Sequence, residues 1–453
     1  MGLGFMGMLQ AQTYPTTSWR DEADTSWYND DQTEFDISTA EELAGLSQLV
    51  EEGNDFEDIT INLTADIDLD GHLWEPIGFD NDAPFSGIVQ GNGHLISNLW
   101  ITGLNRSFIG LFGQTVAASF YDINLDTAHI DDIGTDSGAL VANMYTYGLM
   151  DNCHAYNIDM TVLGVNIGGL NGGALTESTI TNCSFSGSVT GINQVGGLSG
   201  NIWDKSTISN SYVEGEVHGE YIVGGLVGFG TMAFGPDRES ILKNSYNRAS
   251  VEASDPVGMV GGVYGYAQAA VHIENVYSTG TVEGQDFVGA FVGKAEQVEI
   301  ENSYFDRESS QLDNAVGGNT GDFDIEAKST DEMTTQAMAD ALNNDDPDGP
   351  WAFDEIVNDA YPYLGDNFLG IEKPIAEELK LELYPTTVKQ NFTIDSDAEL
   401  KTYAIYNLSG QLVKRGDLHI GENHLQVTAL ESGVYLVQIH AAEGTFTKRI
   451  IKN

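Results

Sequence analysis

Between Phe108 and Phe305 one pattern is written repeatedly with small changes, and this repetition limits the fold more than any other feature. Its first half reads Val-Gly-Gly-Leu-Val-Gly at Val223–Gly228. Close versions stand at Ile167–Gly172, Val195–Gly200, Val260–Gly265 and Val288–Gly293, and looser ones at Phe108–Gly113 and Ser137–Ala142. Its second half reads Ile-x-Asn-x-Tyr, as at Ile208–Tyr212 and Ile273–Tyr277. The first halves end at 113, 142, 172, 200, 228, 265 and 293, giving steps of 29, 30, 28, 28, 37 and 28. A fixed period in this range is the signature of a solenoid.

Within each unit the apolar residues alternate or form short runs closed by Gly, which reads as β rather than helix. The expected fold class is therefore all-β: a parallel β-helix (β-solenoid) with coils of about 28–30 residues, each strand pairing with its equivalent one coil on, ~4.8 Å away. The Gly pairs mark corners that need φ > 0 or tolerate no Cβ. A second column supports the register: Asn98, Asn152, Asn182, Asn210, Asn244, Asn275 and Asn302 are assigned to one slot, with Asp122 substituting once. Stacked amides at this spacing can hydrogen-bond along the axis, although Asn also favours turns. The step of 37 places an insertion near Phe229–Glu239.

The units resemble the GLUG-motif family through Gly169-Leu170-Asn171-Gly172, Gly197-Leu198-Ser199-Gly200 and Gly225-Leu226-Val227-Gly228. The resemblance extends upstream to Phe35–Ala44, Ala65–Gly78 and Gly87–Leu99, and downstream to Trp351 and Tyr361–Leu364. It implies a fold more than an activity: proteins with these repeats are bacterial surface and adhesin-type proteins, some of them extensions of secreted peptidases.

The net charge is −51, from 69 acidic against 18 basic residues. Such a field argues against nucleic acid and anionic membranes as partners. The acid is unevenly placed, because residues 371–453 carry a net of only −2. Residues 1–12 look like the tail of a secretory leader, with Leu9-Gln10-Ala11 before the cleavage point and no basic start, so the beginning reads as truncated. No later stretch is long and apolar enough to span a bilayer as a helix, so no membrane insertion is expected.

Ser38–Val50 is a helix with Thr39 and Glu42 at capping-box spacing and Leu43, Leu46 and Leu49 along one face. It is expected to cover the apolar end of the first coil, and Ser329–Leu342 with Trp351 and Tyr361–Leu364 to close the other end. Asp66–Gly71 opens like a calcium loop, but Ile77 stands where a bidentate Glu is required, and the alternation with Ile67 and Leu69 favours a strand. The loop Asn343–Gly349 is the better cation candidate, with Asp345, Asp346 and Asp348 as ligands for a weakly bound Ca²⁺. Cys153 and Cys183 each follow a ladder residue in consecutive coils, as two stacked thiols or as a disulfide.

From about residue 378, seven short strand-like runs suggest a small β-sandwich. This segment resembles the type A C-terminal sorting domain of the Bacteroidetes type IX secretion system. The matching positions include Tyr384, Pro385, Asn407, Gly410, Gly433, Tyr435, Lys448 and Lys452, and Thr386-Thr387 depart from the usual Asn-Pro. The resemblance implies the type IX machinery as a partner, passage through the outer membrane, and a cell-surface or extracellular location. The chain thus divides into leader (1–12), N-terminal cap (13–60), solenoid (61–308), C-terminal cap (309–370), linker (371–377) and sorting domain (378–453).

No His-Glu-x-x-His, Gly-x-Ser-x-Gly or phosphate loop occurs. The expected function is non-enzymatic binding or adhesion, to an extracellular glycan or a surface protein, with no catalytic residues. Exposed aromatics would make the contact, and Trp100, Trp203, Tyr221, Phe229 and Phe234 are the candidates, although each also suits core or turn packing. The alternatives are a polysaccharide hydrolase or lyase, since β-helices host both, and a purely structural spacer. A lyase of acidic glycans would need a cationic groove that seven solenoid bases cannot supply. A hydrolase would need two carboxylates at a set distance.

Overall fold

The computed structural model describes residues 14–79, 83–174, 176–231, 238–320 and 323–365, and in the C-terminal unit 382–384, 387–395, 400–407, 412–419, 421, 423–428, 430, 433–441 and 445–452. The chain divides after Gly365 into two compact units. The first is a parallel β-solenoid of about nine turns. The coil Thr179–Trp203 shows its anatomy. Strands Thr179–Thr181 and Ser184–Thr190 make the first face, Asn193–Gly196 the second and Ser199–Trp203 the third. Each strand lies in parallel register with its equivalent 28 residues on: Ile180 faces Ile208, Phe185 faces Val213, Val195 faces Val223 and Ser199 faces Val227. The third face continues one coil past the last legible motif, where Val292 faces Val316.

The register stacks like on like. Leu111, Leu140, Leu170, Leu198, Leu226, Val263 and Phe291 form one fully buried column, and Phe120, Met150, Ile180, Ile208, Leu242 and Ile273 form another. Each such side chain contributes about 2 kcal/mol of burial free energy. Of the two roles open to the corner glycines, close approach is the one found at Gly224: a Cβ there would lie 2.0 Å from the Val227 carbonyl oxygen.

The Asn column is a column of left-handed residues. Asp122, Asn152, Asn182, Asn210, Asn244, Asn275 and Asn302 all have φ between 41° and 54°, a conformation that Asn adopts at low cost. From Asn182 onward the amides are linked: Asn210 Nδ2 donates to Asn182 Oδ1 (3.1 Å), Asn244 to Asn210 (3.2 Å), Asn275 to Asn244 (3.1 Å) and Asn302 to Asn275 (2.7 Å). Asn182 itself donates to the Asp151 carboxylate (2.7 Å) and Asn152 to Asp122 (2.6 Å), so the chain of amides starts on a carboxylate. Asn98 does not belong to this column. Ser97 faces Asp126 and Leu99 faces Ala128, and Asp126 and Ala128 in turn face Tyr156 and Ile158. Asn98 therefore stacks with Thr127 and Asn157, at a second left-handed bend within the first face. The slot assigned to it is filled by Gly91, whose N–H donates to Tyr121 O. Asn takes positive φ at both bends, so the Asn signal alone cannot tell them apart.

At the N-terminal end the helix Ala40–Glu51 carries the Thr39/Glu42 capping box and buries Leu43, Ala44, Leu46 and Val50. The strand Glu34–Ile37 pairs with Thr60–Leu63, which pairs with Ile88–Gln90. Ile67 and Leu69 are buried while Asp66, Asp68 and Asp70 are exposed, and the Asp68 carboxylate accepts from Asn98.

The C-terminal segment differs from an end lid. Its expected single helix is two, Thr330–Met333 and Gln336–Leu342, because Thr335 turns to N-cap the second through Met338 N–H. Beyond them the chain runs back along the flank of the first face. Asn302 Nδ2 donates to Ala341 O, Trp351 packs on Tyr246 and Tyr277, the Tyr277 hydroxyl donates to Pro362 O (2.6 Å), and Arg248 pairs with Asp359. We call residues 329–365 the strap.

Cys153 and Cys183 are free thiols, both fully buried. They share an inward slot with Ser211 and Ser245, and the Cys183 N–H donates to the Ser211 hydroxyl (3.2 Å). Burial pushes the Cys183 thiol well above its ordinary pKa, with Cys153 adding to the effect.

The C-terminal unit is antiparallel in the main, with sheets of three and five strands. Val388, Phe392, Ile394, Ile405, Val427, Val437 and Ile439 lie buried in its own core.

Candidate functional site

The third face has an outer surface that its strands present by simple alternation. Ile202 and Met144 are fully buried in the core, so their neighbours Asn201, Trp203, Asn143 and Tyr145 leave on the opposite side. Met144 faces Ala174, and Ala174 faces Ile202, so Tyr145 and Trp203 are equivalent residues two coils apart, ~10 Å along the axis. Both are open to solvent, at 51% and 42% exposure. The intervening equivalent, Leu175, lies outside the described residues. One row over, Asn143, Gly173, Asn201, Phe229 and Tyr266 follow one another in register, and the Phe229 and Tyr266 rings lie 5.5 Å apart.

This face is polar without being charged. Its bases are each matched by an acid: Lys205 with Glu177 (3.0 Å), Arg238 with Asp204 (2.8 Å) and Lys294 with Glu296 (2.8 Å). The Tyr266 hydroxyl donates to Glu296 (2.8 Å), and burial with that carboxylate pushes its pKa up to about 12. The amide oxygens of Gln114, Asn143 and Asn201 accept no hydrogen bond among the described residues.

The five aromatic candidates are not gathered into one site. Trp203 and Phe229 share the third face. Trp100 is part-buried on the first face between Tyr14 (5.5 Å) and His129 (4.4 Å). Tyr221 sits on the corner between first and second faces, in a run of exposed apolar residues with Ile133, Leu163 and Val257. Phe234 lies outside the described residues. Tyr145 and Tyr147 were missed, yet the signal existed: Tyr145 follows Ala142 by three residues, just as Trp203 follows Gly200.

Two acidic arrangements lie elsewhere on the solenoid. Glu239, His272 and Glu299 bring one ligand atom each within 4.8 Å of one another, whereas Asp345, Asp346 and Asp348 do not form such a group. Those three side chains are exposed, and Asp346 Oδ1 accepts from the Asp348 N–H (3.0 Å) instead. An open groove of about 670 Å³ is lined by Glu252, Glu283, Gln285 and Gln311 among others. Glu252 and Glu283 face each other in register there.

On the opposite flank the strap seals an aromatic column. Tyr212, Tyr246 and Tyr277 stack at 4.9 and 5.0 Å with nearly parallel rings. Burial raises the pKa of all three. His154, in the same outward column, is buried with Nδ1 2.8 Å from the Ser184 hydroxyl and Nε2 3.1 Å from Asn152 Oδ1. Burial lowers its pKa to about 4.

Of the sorting-domain positions, Tyr435 and Lys452 are buried, and Gly433 and Lys448 lie on the paired strands Gly433–Ala441 and Thr445–Lys452. Tyr384 and Asn407 fall on the strands Glu382–Tyr384 and Leu400–Asn407. Pro385 and Gly410 lie outside the described residues, as do residues 1–12 and the linker 371–377.

Residues 382–453 match the family model of the secretion system C-terminal sorting domain. The chain accordingly carries a type IX sorting tail that addresses it to that machinery and takes it to the cell surface or extracellular space. Among the described residues no helix is long and apolar enough to cross a membrane. Two curated proteins are similar over part of the chain. One, from Evansella cellulosilytica and named as a Gly-rich membrane protein, is 36% identical over 120 residues, 26% of this chain and 14% of that protein. The other, Halomucin of Haloquadratum walsbyi, is 32% identical over 164 residues, 34% of this chain and 1% of its own length. No solved structure matches the chain.

Proposed function

We propose that the solenoid of this exported chain is a non-enzymatic binding module, of the GLUG-motif adhesin type, that holds an extracellular glycan or a surface protein. The observation carrying this reading is the pair of solvent-exposed aromatic side chains Tyr145 and Trp203 at equivalent positions two coils apart. Large apolar side chains grouped on the surface of an exported protein mark contact sites. A parallel stack supports contact in a particular way, since it repeats a side chain at fixed intervals along a rigid axis. The test is retention of the exported chain on arrayed glycans and on intact cells. Retention above a blank on either supports the reading, and retention on neither leaves the spacer.

A second reading, polysaccharide hydrolysis, draws on the groove with Glu252 and Glu283. Register sets the two residues side by side on neighbouring coils, Cα atoms ~4.8 Å apart, and a retaining mechanism would need their carboxyl groups about 5–5.5 Å apart. Reducing-end release from a soluble polysaccharide, lost in Glu283→Gln, would replace binding with catalysis.

A further inference from the structure

We infer that the outer surface of the third face is a platform for an extended, neutral, β-linked polysaccharide lying parallel to the solenoid axis. The inference rests on the binding reading and names its ligand class and its residues.

Three observations converge on this chemistry. The first is the spacing. Tyr145 and Trp203 repeat at ~10 Å along the axis, of the order of the repeat of two sugars in an extended β-1,4 chain, so alternate rings of such a chain meet successive aromatics. The C–H faces of a pyranose are apolar and pack on an aromatic ring, while the hydroxyls around its edge stay polar. Phe229, one coil beyond Trp203 and in the neighbouring row, extends the contact along the same direction.

The second is unmet hydrogen bonding. Asn143 is 5% exposed, and its Oδ1 accepts nothing among the described residues, as does Asn201 Oδ1 in the same row. Between them stands Gly173, where a Cβ would lie 2.9 Å from Asn201 Oδ1, so the Asn201 amide lies across a notch that has no side chain of its own. Buried acceptors without donors are costly and rare. Sugar hydroxyls are donors, and a modest rotation of these amides gives each a partner that the unliganded protein lacks.

The third is charge. The chain carries −51, yet on this face Lys205, Arg238 and Lys294 are each paired with an acid. Among the described residues, these closed pairs leave neither the free cations that a polyanion needs nor unpaired carboxylates for a cationic polymer. A neutral, hydroxyl-rich ligand is what remains compatible with rings, amides and closed ion pairs together.

Calorimetric titration of the full chain with neutral β-1,4-linked hexasaccharides of glucose, xylose and mannose tests this, with polygalacturonate as the anionic arm. Binding of at least one neutral hexasaccharide is expected, with Kd raised tenfold or more in Trp203→Ala and in Tyr145→Ala and unchanged in Tyr221→Ala on the other corner. The matching disaccharide, too short to span both rings, should bind at least tenfold more weakly than the hexasaccharide. Failure of every neutral hexasaccharide, preference for polygalacturonate, or equal binding by Trp203→Ala would overturn the inference. Retention on arrayed glycans or cells that survives the Trp203→Ala/Tyr145→Ala double variant would overturn this platform and leave the broader binding reading standing. Both variants replace exposed side chains, and unchanged circular dichroism confirms that they fold.

Discussion

The first and third faces of the solenoid are built from the same repeat and are finished in opposite ways. On the first face the outward aromatics are covered: Tyr246 and Tyr277 are stacked, roofed by Trp351 and sealed by the strap. Its outward amides are satisfied too, each Asn from 182 to 302 being bonded to a neighbour. On the third face the rings of Tyr145 and Trp203 stand in water, and the amide oxygens of Asn143 and Asn201 go without donors. One periodic scaffold therefore yields one side devoted to stability and another left free for contact. Burial and hydrogen-bond satisfaction, rather than residue type, separate the two.

The sharpest way to break this contrast is to unroof the covered side. Trp351→Ala removes a buried ring from the Tyr246–Tyr277 contact and should cost about 4 kcal/mol of stability, read as a lower urea midpoint. A loss under about 1 kcal/mol would mean that the strap merely rests on the coils. The next largest effect is on pH. Burial holds His154 at about 4 against an ordinary value of 6.5, so between these values the unfolded chain binds the extra proton. Stability then rises with pH through that window: it is full above about 6.5, falls as the pH drops, and levels off below about 4. The span is about 3 kcal/mol. His154→Gln should flatten that part of the profile, and an unchanged slope would refute the assignment.

A smaller effect separates backbone from ladder. Asn210→Ala loses two amide bonds and puts in the left-handed conformation a residue without the asparagine amide that eases it, for about 2–3 kcal/mol. Asn210→Gly relieves the backbone term and should recover about 1 kcal/mol of it, measured in the same denaturation series. If Gly recovers nothing, the column exists for its hydrogen bonds alone. The smallest effect is on the open side, where Trp203→Ala should change stability by no more than about 0.5 kcal/mol. A drop comparable with that of Trp351→Ala would show that Trp203 belongs to the packing and erase the difference between the faces.

The repeat was legible because a parallel stack forces equivalent residues into contact, so period and register are the same information. Gly113, Gly172, Gly200 and Gly228 fall in one row for that reason. Asn98 was misplaced because two bends per coil ask for the same left-handed conformation, and its interval of 24 residues to Asp122 was the only warning. The strap could not be read as a flank covering, since Trp351, Asp359 and Pro362 reach partners 74 to 111 residues earlier in the chain, such as Tyr277 and Arg248. No period links those positions. The outward side of the third face was legible in principle, because Tyr145 and Trp203 stand three residues after Ala142 and Gly200, and residue type without that offset singles out only Trp203.

The amide column also has a direction. Along the column each Asn from 182 to 302 donates to the member on its amino-terminal side and accepts from the carboxyl-terminal side, beginning on Asp151 and ending at Asn302, which accepts from the Tyr304 hydroxyl and also donates to Ala341 O. A carboxylate can therefore open the series but never sit inside it. Hydrolytic ageing of Asn210, Asn244 or Asn275 to Asp would place an acceptor against an acceptor and a fresh negative charge in the line.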